Sequence, residues 1–196
     1  MKNPFSDLFI LDFTHVYSGP YCTMLLADLG ARVVKIERPG SGDDTRHYLP
    51  FKNGESGYFA YLNRNKENLT LDLKSPEGKR IALELMKKSD VVIENFSAGT
   101  MDRLGLGYEA AKAVKDDIIY ASISGFGQSG PLCHKAAYDI IAQAMGGLLR
   151  LTGFPDQPPV KVGVSIADAN AGIHMAFCLM AALYQRDHTG AGQYID

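Results

Sequence analysis

Asp168 stands alone in the run VGVSIADANAGIH, a carboxylate among small and apolar residues just ahead of what reads as a long helix. An aspartate in that place is most often an N-cap, accepting backbone N–H bonds through its side chain. Chemistry is compatible with capping. A helix N-terminus favours the ionised carboxylate, and an ionised carboxylate is a nucleophile. Cations fall near the ends of segments that read as strands: Arg38 ends RVVKIERP, Lys74 follows NLTLDL, and Arg103 comes after VVIENF. Open α/β sheets bind ligands at the carboxyl ends of their strands. Cations gathered there suit an anionic ligand such as a 3′-phosphate and a diphosphate, although any one of them alone reads first as a solvated surface cation.

Other chemistries find little support. There is no G-x-x-x-x-G-K-[ST], and no G-x-G-x-x-G at the first strand–helix turn; the GLG at 105–107 lies between helices. Gly42 in PGSGDDTR could face an anion, but loops of this composition are mostly just loops. The five histidines lack ligand spacing with one another or with the cysteines, so no metal is expected, and His174 reads as a packed core histidine. GFGQSGP places Ser129 wrongly for a serine-hydrolase elbow. A net charge of −2 provides no basic field for nucleic acid. No apolar run reaches the ~18 residues that span a bilayer. The opening MKNPFSDLFILDF lacks a signal peptide's long apolar stretch. Cys22, Cys133 and Cys178 are odd in number and widely spaced, which suggests reduced thiols and a cytoplasmic protein.

The elements that must position these residues follow an α/β pattern. LFILDFT (8–14) and RVVKIERP (32–39) read as buried strands around the helix TMLLADLGA. GSGDDTRHYLPFKNGESG is a polar loop, and NLTLDLK (68–74) alternates like a strand. SPEGKRIALELMKKSD has Ser75 as N-cap and Pro76 at the first helical position. VVIENF (91–96) and IIYASISGFG (118–127) are further strands. YDIIAQAMGGLLRLTG is an apolar helix broken at Gly146-Gly147. A last helix, roughly 170–185, is apolar nearly all round and should be buried on several sides. YID then reads as a strand barely begun, which suggests a fragment. The expected fold is a parallel sheet flanked by helices.

Six segments in one order carry a resemblance: LDFTHVYSGPYCTMLLADLGARVVKIERPGSGDDTR, NRNKENLTLDLKSPEGK, DVVIENFSAGTMDRLGLGYE, SGFGQSGP, YDIIAQAMGGL and TGAGQ. Together they resemble the class III CoA-transferases, the formyl-CoA:oxalate and carnitine CoA-transferase family, which also contains α-methylacyl-CoA racemases. The resemblance implies that residues 1–196 are the N-terminal part of a large Rossmann-like domain, with a small domain and the C-terminal half absent. It implies an interlocked homodimer when full length, acyl-CoA and carboxylic acid substrates, and no cofactor beyond the coenzyme A thioester itself. Asp168 matches the family nucleophile. Arg38, the Leu71-Asp72-Leu73-Lys74 stretch, Asn95, Phe96, Ser97 and Arg103 match CoA contacts. His15, Tyr17 and Ser18 lie on the turn expected near the thioester. Lys135, Ala136, Tyr138 and Asp139 fall in a further stretch expected to contact substrate. Formyl-CoA transferases carry Gln where this chain has Tyr17 and Trp where it has Tyr48, and a basic contact expected near KAAYD aligns with Ala136, one position from Lys135.

The resemblance implies CoA transfer through an aspartyl anhydride and an aspartyl-CoA thioester. Two alternatives stand beside it. A racemase would need a general-base pair; family racemases carry a histidine in a GHDINY-like stretch after the fifth strand, where this chain reads GFGQSGP, with His134 farther on. The other is a non-catalytic half that binds CoA for a separate C-terminal chain.

Overall fold

The computed structural model describes residues 3–196. Strand β1 (Phe9–Asp12) leads through a short turn into helix α1 (Ser18–Asp28) and then β2 (Arg32–Glu37). A 3-10 turn (Asp44–His47), a small hairpin of β3 (Phe51–Lys52) and β4 (Glu55–Ser56), and helix α2 (Gly57–Asn63) intervene before β5 (Lys66–Thr70). Next come α3 (Pro76–Met86), β6 (Val91–Glu94), α4 (Thr100–Leu104), α5 (Tyr108–Val114) and β7 (Ile119–Ser122). The chain ends on α6 (Asp139–Met145), α7 (Leu148–Leu151), α8 (Ile166–Thr189) and β8 (Gln193–Ile195).

Six strands form one sheet in the order β5-β2-β1-β6-β7-β8, every pair parallel. Counting only these strands, the order is that of the doubly wound dinucleotide-binding fold, and its direction reverses between β1 and β6. Alternate residues feed two cores. Ile10, Val33, Val91 and Ile93 pack with Cys22 and Leu26 of α1 and with Met175, Ala176 and Leu179 of α8. Leu11, Val34 and Val92 pack on the other face with Ala82 and Met86 of α3, Met101 of α4 and Ala111 of α5. Period-2 alternation between two covered faces is what a fully buried parallel strand requires.

Several sequence expectations change. LDLK 71–74 lies beyond β5, which ends at Thr70, and Asn95-Phe96 lie beyond β6. Those stretches are connecting loops because the sheet register runs out there. The loop read at 40–57 contains the 3-10 turn and the hairpin, and α2 follows it. Helix α8 begins at Ile166, so Asp168 is its third residue and not its cap. The same helix is not buried on several sides. Gly172, Met175, Ala176, Leu179 and Ala182 are buried, whereas Ile173, Phe177 and Tyr184 are 48%, 67% and 69% exposed. By length and composition α8 could cross a membrane, with a mean hydropathy of 1.4 over 18 residues. Its buried face belongs instead to the sheet core beside α1.

Candidate active site

The β1–α1 turn is the centre of the site. Asp12, at the end of β1, is fully buried. It accepts hydrogen bonds from the Thr14 amide (2.8 Å), the Thr14 hydroxyl (2.5 Å) and the Thr23 hydroxyl (2.6 Å). Lys66 pairs with it at 3.2 Å and also donates to the Pro20 carbonyl at 3.0 Å. Burial opposes ionisation of Asp12, but Lys66, Lys35 and the two threonines hold its carboxyl below the usual range. Gly19 lies so close to Thr14 that a Cβ there would sit 2.2 Å from Thr14 Cγ2. This turn is therefore shaped by buried charge and close packing, not by the glycine-rich fingerprint of dinucleotide binders.

Across the strand-order reversal, the Asn95 side chain clasps the turn. Its Oδ1 accepts from the His15 amide (2.9 Å) and its Nδ2 donates to the His15 carbonyl (2.8 Å). The His15 and Phe96 rings meet edge to face at 5.2 Å. Burial lowers the His15 pKa below its ordinary value, so the ring is neutral near pH 7.

Two cavities of about 420 Å³ each open here and share His15, Phe96 and Thr100 in their walls. The first is lined by Tyr17, Ser18, Asn95, Ser97, Lys135, Ala136, Tyr138 and Asp168. The second is lined by Arg38, Leu71, Asp72, Leu73 and Lys74. Residues distant in sequence thus form two adjoining compartments at the topological switch point, where this fold class binds ligands. Arg103 does not join them. It lines a third cavity of about 440 Å³ with Glu94 and His134, and donates to Thr100 Oγ1 at 2.9 Å. Burial pushes the Glu94 carboxyl up to about 7.

The capping role expected of Asp168 belongs to Asp139. The Asp139 Oδ1 accepts from the Ala167 amide at 2.8 Å and the Asp168 amide at 3.4 Å, capping α8 from the first turn of α6. Its Oδ2 accepts from Gln143 Nε2 at 2.6 Å, and Gln143 Oε1 in turn accepts from the Val162 amide at 2.9 Å. Ser165, at the N-cap position, makes no side-chain cap bond. The Asp168 carboxylate thus lines the first cavity without serving as the helix cap. Burial, and then the Asp139 charge, raise its pKa to about 6, so it is still mostly ionised near neutrality and more basic than an ordinary aspartate.

Sequence reasoning singled out Tyr17 and Tyr48 but missed Tyr58, which joins them in an aromatic wall beside this carboxylate. Tyr17 stacks on Tyr21 at 5.7 Å and meets Tyr58 at 6.0 Å; Tyr58 also meets Tyr48 at 5.6 Å. Burial, then the neighbouring Tyr17 and Asp168, push the Tyr58 hydroxyl up to about 12. Its only sequence signal was the aromatic run GYFAYLN, whose direction depends on the hairpin ahead of α2. Lys35 and Asp43, both buried, were also missed. They pair at 2.9 Å; burial works against the Asp43 charge, but Lys35 and Thr45 hold its carboxyl down to about 2.

Fold and site together define a doubly wound α/β protein with a carboxylate-bearing cleft at its switch point. Comparison with known proteins narrows that class. The family model described as CoA-transferase family III matches residues 5–196, and the chain belongs to that family. It is 50% identical over 196 residues to an acetyl-CoA:oxalate CoA-transferase of Acetobacter aceti, covering 100% of this chain and 50% of that protein. It is 48% identical to a succinyl-CoA:glutarate CoA-transferase of Mus musculus, over 98% of this chain and 44% of that one. A crystal structure of a CAIB/BAIF family protein from Brucella suis superposes with a TM-score of 0.96 at 41% identity, covering 100% of this chain and 53% of its own. The chain spans about half the length of the curated relatives it matches. The Rossmann-like fold and membership of a CoA-transferase family both agree with the sequence reading.

Proposed function

We propose that this chain is the N-terminal part of the large domain of a CoA-transferase that moves CoA from an acyl-CoA donor to a small carboxylic acid. Asp168 is its nucleophile. The Asp168 carboxylate attacks the thioester carbonyl, the C–S bond breaks and CoA thiolate leaves, giving a mixed anhydride. The thiolate attacks the aspartyl carbonyl and the donor acid leaves as carboxylate, giving an aspartyl-CoA thioester. The acceptor carboxylate attacks that thioester and expels the thiolate, giving a second anhydride. The thiolate then attacks the acceptor's acyl carbon, which releases the new CoA ester and restores Asp168. Covalent steps of this kind divide one difficult exchange into easier ones.

The observation that carries this reading is the division of labour at α8. Asp139 caps the helix, while Asp168 faces the cavity with a raised pKa. The second cavity supports the CoA end through Arg38 and Lys74 in its wall; Arg38 is paired there with Asp44, and an anionic ligand takes that partner's place. Arg103 lies in the third cavity and already donates to the Thr100 hydroxyl, whose residue lines the other two cavities, so its contact with CoA requires the side chain to pass beyond Thr100. Proton exchange next to a carbonyl would need a base facing Asp168; His134 lines the third cavity, whereas His15 lines the first with Asp168, so the exchange arm of the test below decides against that chemistry or for it. The complete protein works in the cytoplasm as an interlocked homodimer and needs no cofactor besides its substrate.

The relatives are named for oxalate and glutarate as acceptors and for acetyl-, formyl- and succinyl-CoA as donors. The test mixes the complete protein with each donor and each acceptor and follows new thioesters by mass. Formation of oxalyl- or glutaryl-CoA, lost in Asp168→Ala, supports the reading. Hydrolysis or α-proton exchange without transfer contradicts it.

A further inference from the structure

Val16 is a β-branched residue with φ +65. L-residues avoid that conformation, and branched ones most of all, so something must hold it there. The Val16 amide donates to Asp43, 3.4 Å from Oδ1 and 3.3 Å from Oδ2. Asp43 is itself fixed on every side. Its carboxylate takes the Thr45 amide (2.9 Å), the Thr45 hydroxyl (2.7 Å) and Lys35 Nζ (2.9 Å), and its amide donates to Glu37 Oε2 (2.8 Å). Lys35 Nζ also donates to the Thr14 carbonyl at 2.6 Å. Asp43 and Lys35 are 3% and 1% exposed.

This pair joins two compartments. Asp43 sits in the loop that carries Arg38 and Asp44, in the wall of the second cavity. Val16 precedes Tyr17 and Ser18, in the wall of the first. Helix α1 starts there with no side-chain cap and no acidic residue in its first turn. A buried ion pair adds little net stability over a well-packed apolar pair, so stability alone does not account for this one.

We propose that Asp43 is a positioning residue that transmits binding at the Arg38 loop to the His15–Ser18 turn beside Asp168. The inference rests on the CoA-transferase reading, in which the nucleotide end of CoA occupies the second cavity and the thioester the first. Binding energy from the unreactive end of the substrate would then be used to set the geometry at the reacting end.

Two measurements test it, both on the complete protein. In the first, kcat is compared for an acyl-CoA and for the same acyl group on pantetheine, which lacks the nucleotide. The unsubstituted protein should be faster with the CoA ester. Asp43→Asn should lower kcat for the CoA ester about tenfold, change its KM less, and leave the pantetheine ester within about twofold. Loss by the same factor on both donors, or an unchanged kcat, overturns the proposal. The second measurement needs no variant and survives if Asp43→Asn fails to fold. Adenosine 3′,5′-bisphosphate, which lacks the pantetheine arm and the acyl group, should slow hydrogen exchange of the Val16 and Thr45 amides together. Slowing at Thr45 without Val16, or no binding of the probe, overturns it. Absence of any CoA transfer by the unsubstituted protein contradicts the transferase reading, and the exchange measurement then decides the clamp by itself.

Discussion

Asp168 does chemistry best if it has nothing structural to do, and Asp139 relieves it of capping. The cost is electrostatic, because Asp168 is left partly buried next to a second carboxylate. Its folded-state pKa of about 6 lies above the ordinary value of 3.8. The folded state therefore holds the proton more tightly than the unfolded chain, and stability falls as pH rises through that window. Asp168→Asn removes this penalty. Its melting temperature should match the parent below about pH 4 and exceed it above about pH 6, by the equivalent of roughly 1 kcal/mol once solvent screening is allowed for. Calorimetry across pH checks this; a variant less stable than the parent at pH 7 would return the capping role to Asp168. Asp139→Ala should cost about 1 kcal/mol in urea unfolding, as loss of a helix cap does. It should also move the acid limb of the transfer-rate profile somewhat below about pH 6, because burial still raises the Asp168 pKa but the Asp139 charge no longer adds to it.

At the scale of elements, α8 brings Asp168 and α1 brings Ser18 to the wall of the first cavity, and Gly172 sets the separation of the two helices. A Cβ at Gly172 would lie 2.7 Å from the Ser18 carbonyl oxygen and 3.2 Å from the Cys22 amide nitrogen, both backbone atoms that cannot turn aside. Gly172→Ala should cost about 1–3 kcal/mol in denaturant unfolding and lower transfer further by moving Asp168 from Ser18. Unchanged stability and turnover would mean that the helices part freely. The sheet strands, with β5 displaced toward its N-terminal side, and α3 were legible from the sequence because buried runs and capping residues are local signals, whereas the short β3–β4 hairpin was not. Asp168 and the Arg38 and LDLK stretches were legible through resemblance. The true cap was not, since Asp139 is 29 positions from Asp168 and acts through the packing of α6 on α8. Val16 was not legible either: its backbone conformation depends on Asp43, 27 positions away.

For the molecule as a whole, the second half of the chain carries many exposed large apolar side chains. Met145, Leu151 and Phe154 are 62%, 82% and 79% exposed, alongside Phe177 and Tyr184 on α8. Surfaces of this kind mark contacts with other protein. The 196-residue chain alone should self-associate in sedimentation experiments and bind a hydrophobic dye. Phe177→Lys with Tyr184→Lys should reduce both while leaving the melting temperature near the parent's, because neither side chain belongs to the sheet core. A parent chain that sediments as a compact monomer without binding dye would contradict this.

The central claim is that Asp168 becomes covalently acylated, and trapping tests it most directly. Hydroxylamine added during turnover of the complete protein with an acyl-CoA donor and a carboxylate acceptor intercepts activated carboxyl groups. Peptide mass mapping should then find a hydroxamate on Asp168, absent without donor and absent in Asp168→Asn. A hydroxamate on Asp139 or another carboxylate, or none during measurable transfer, would contradict the account.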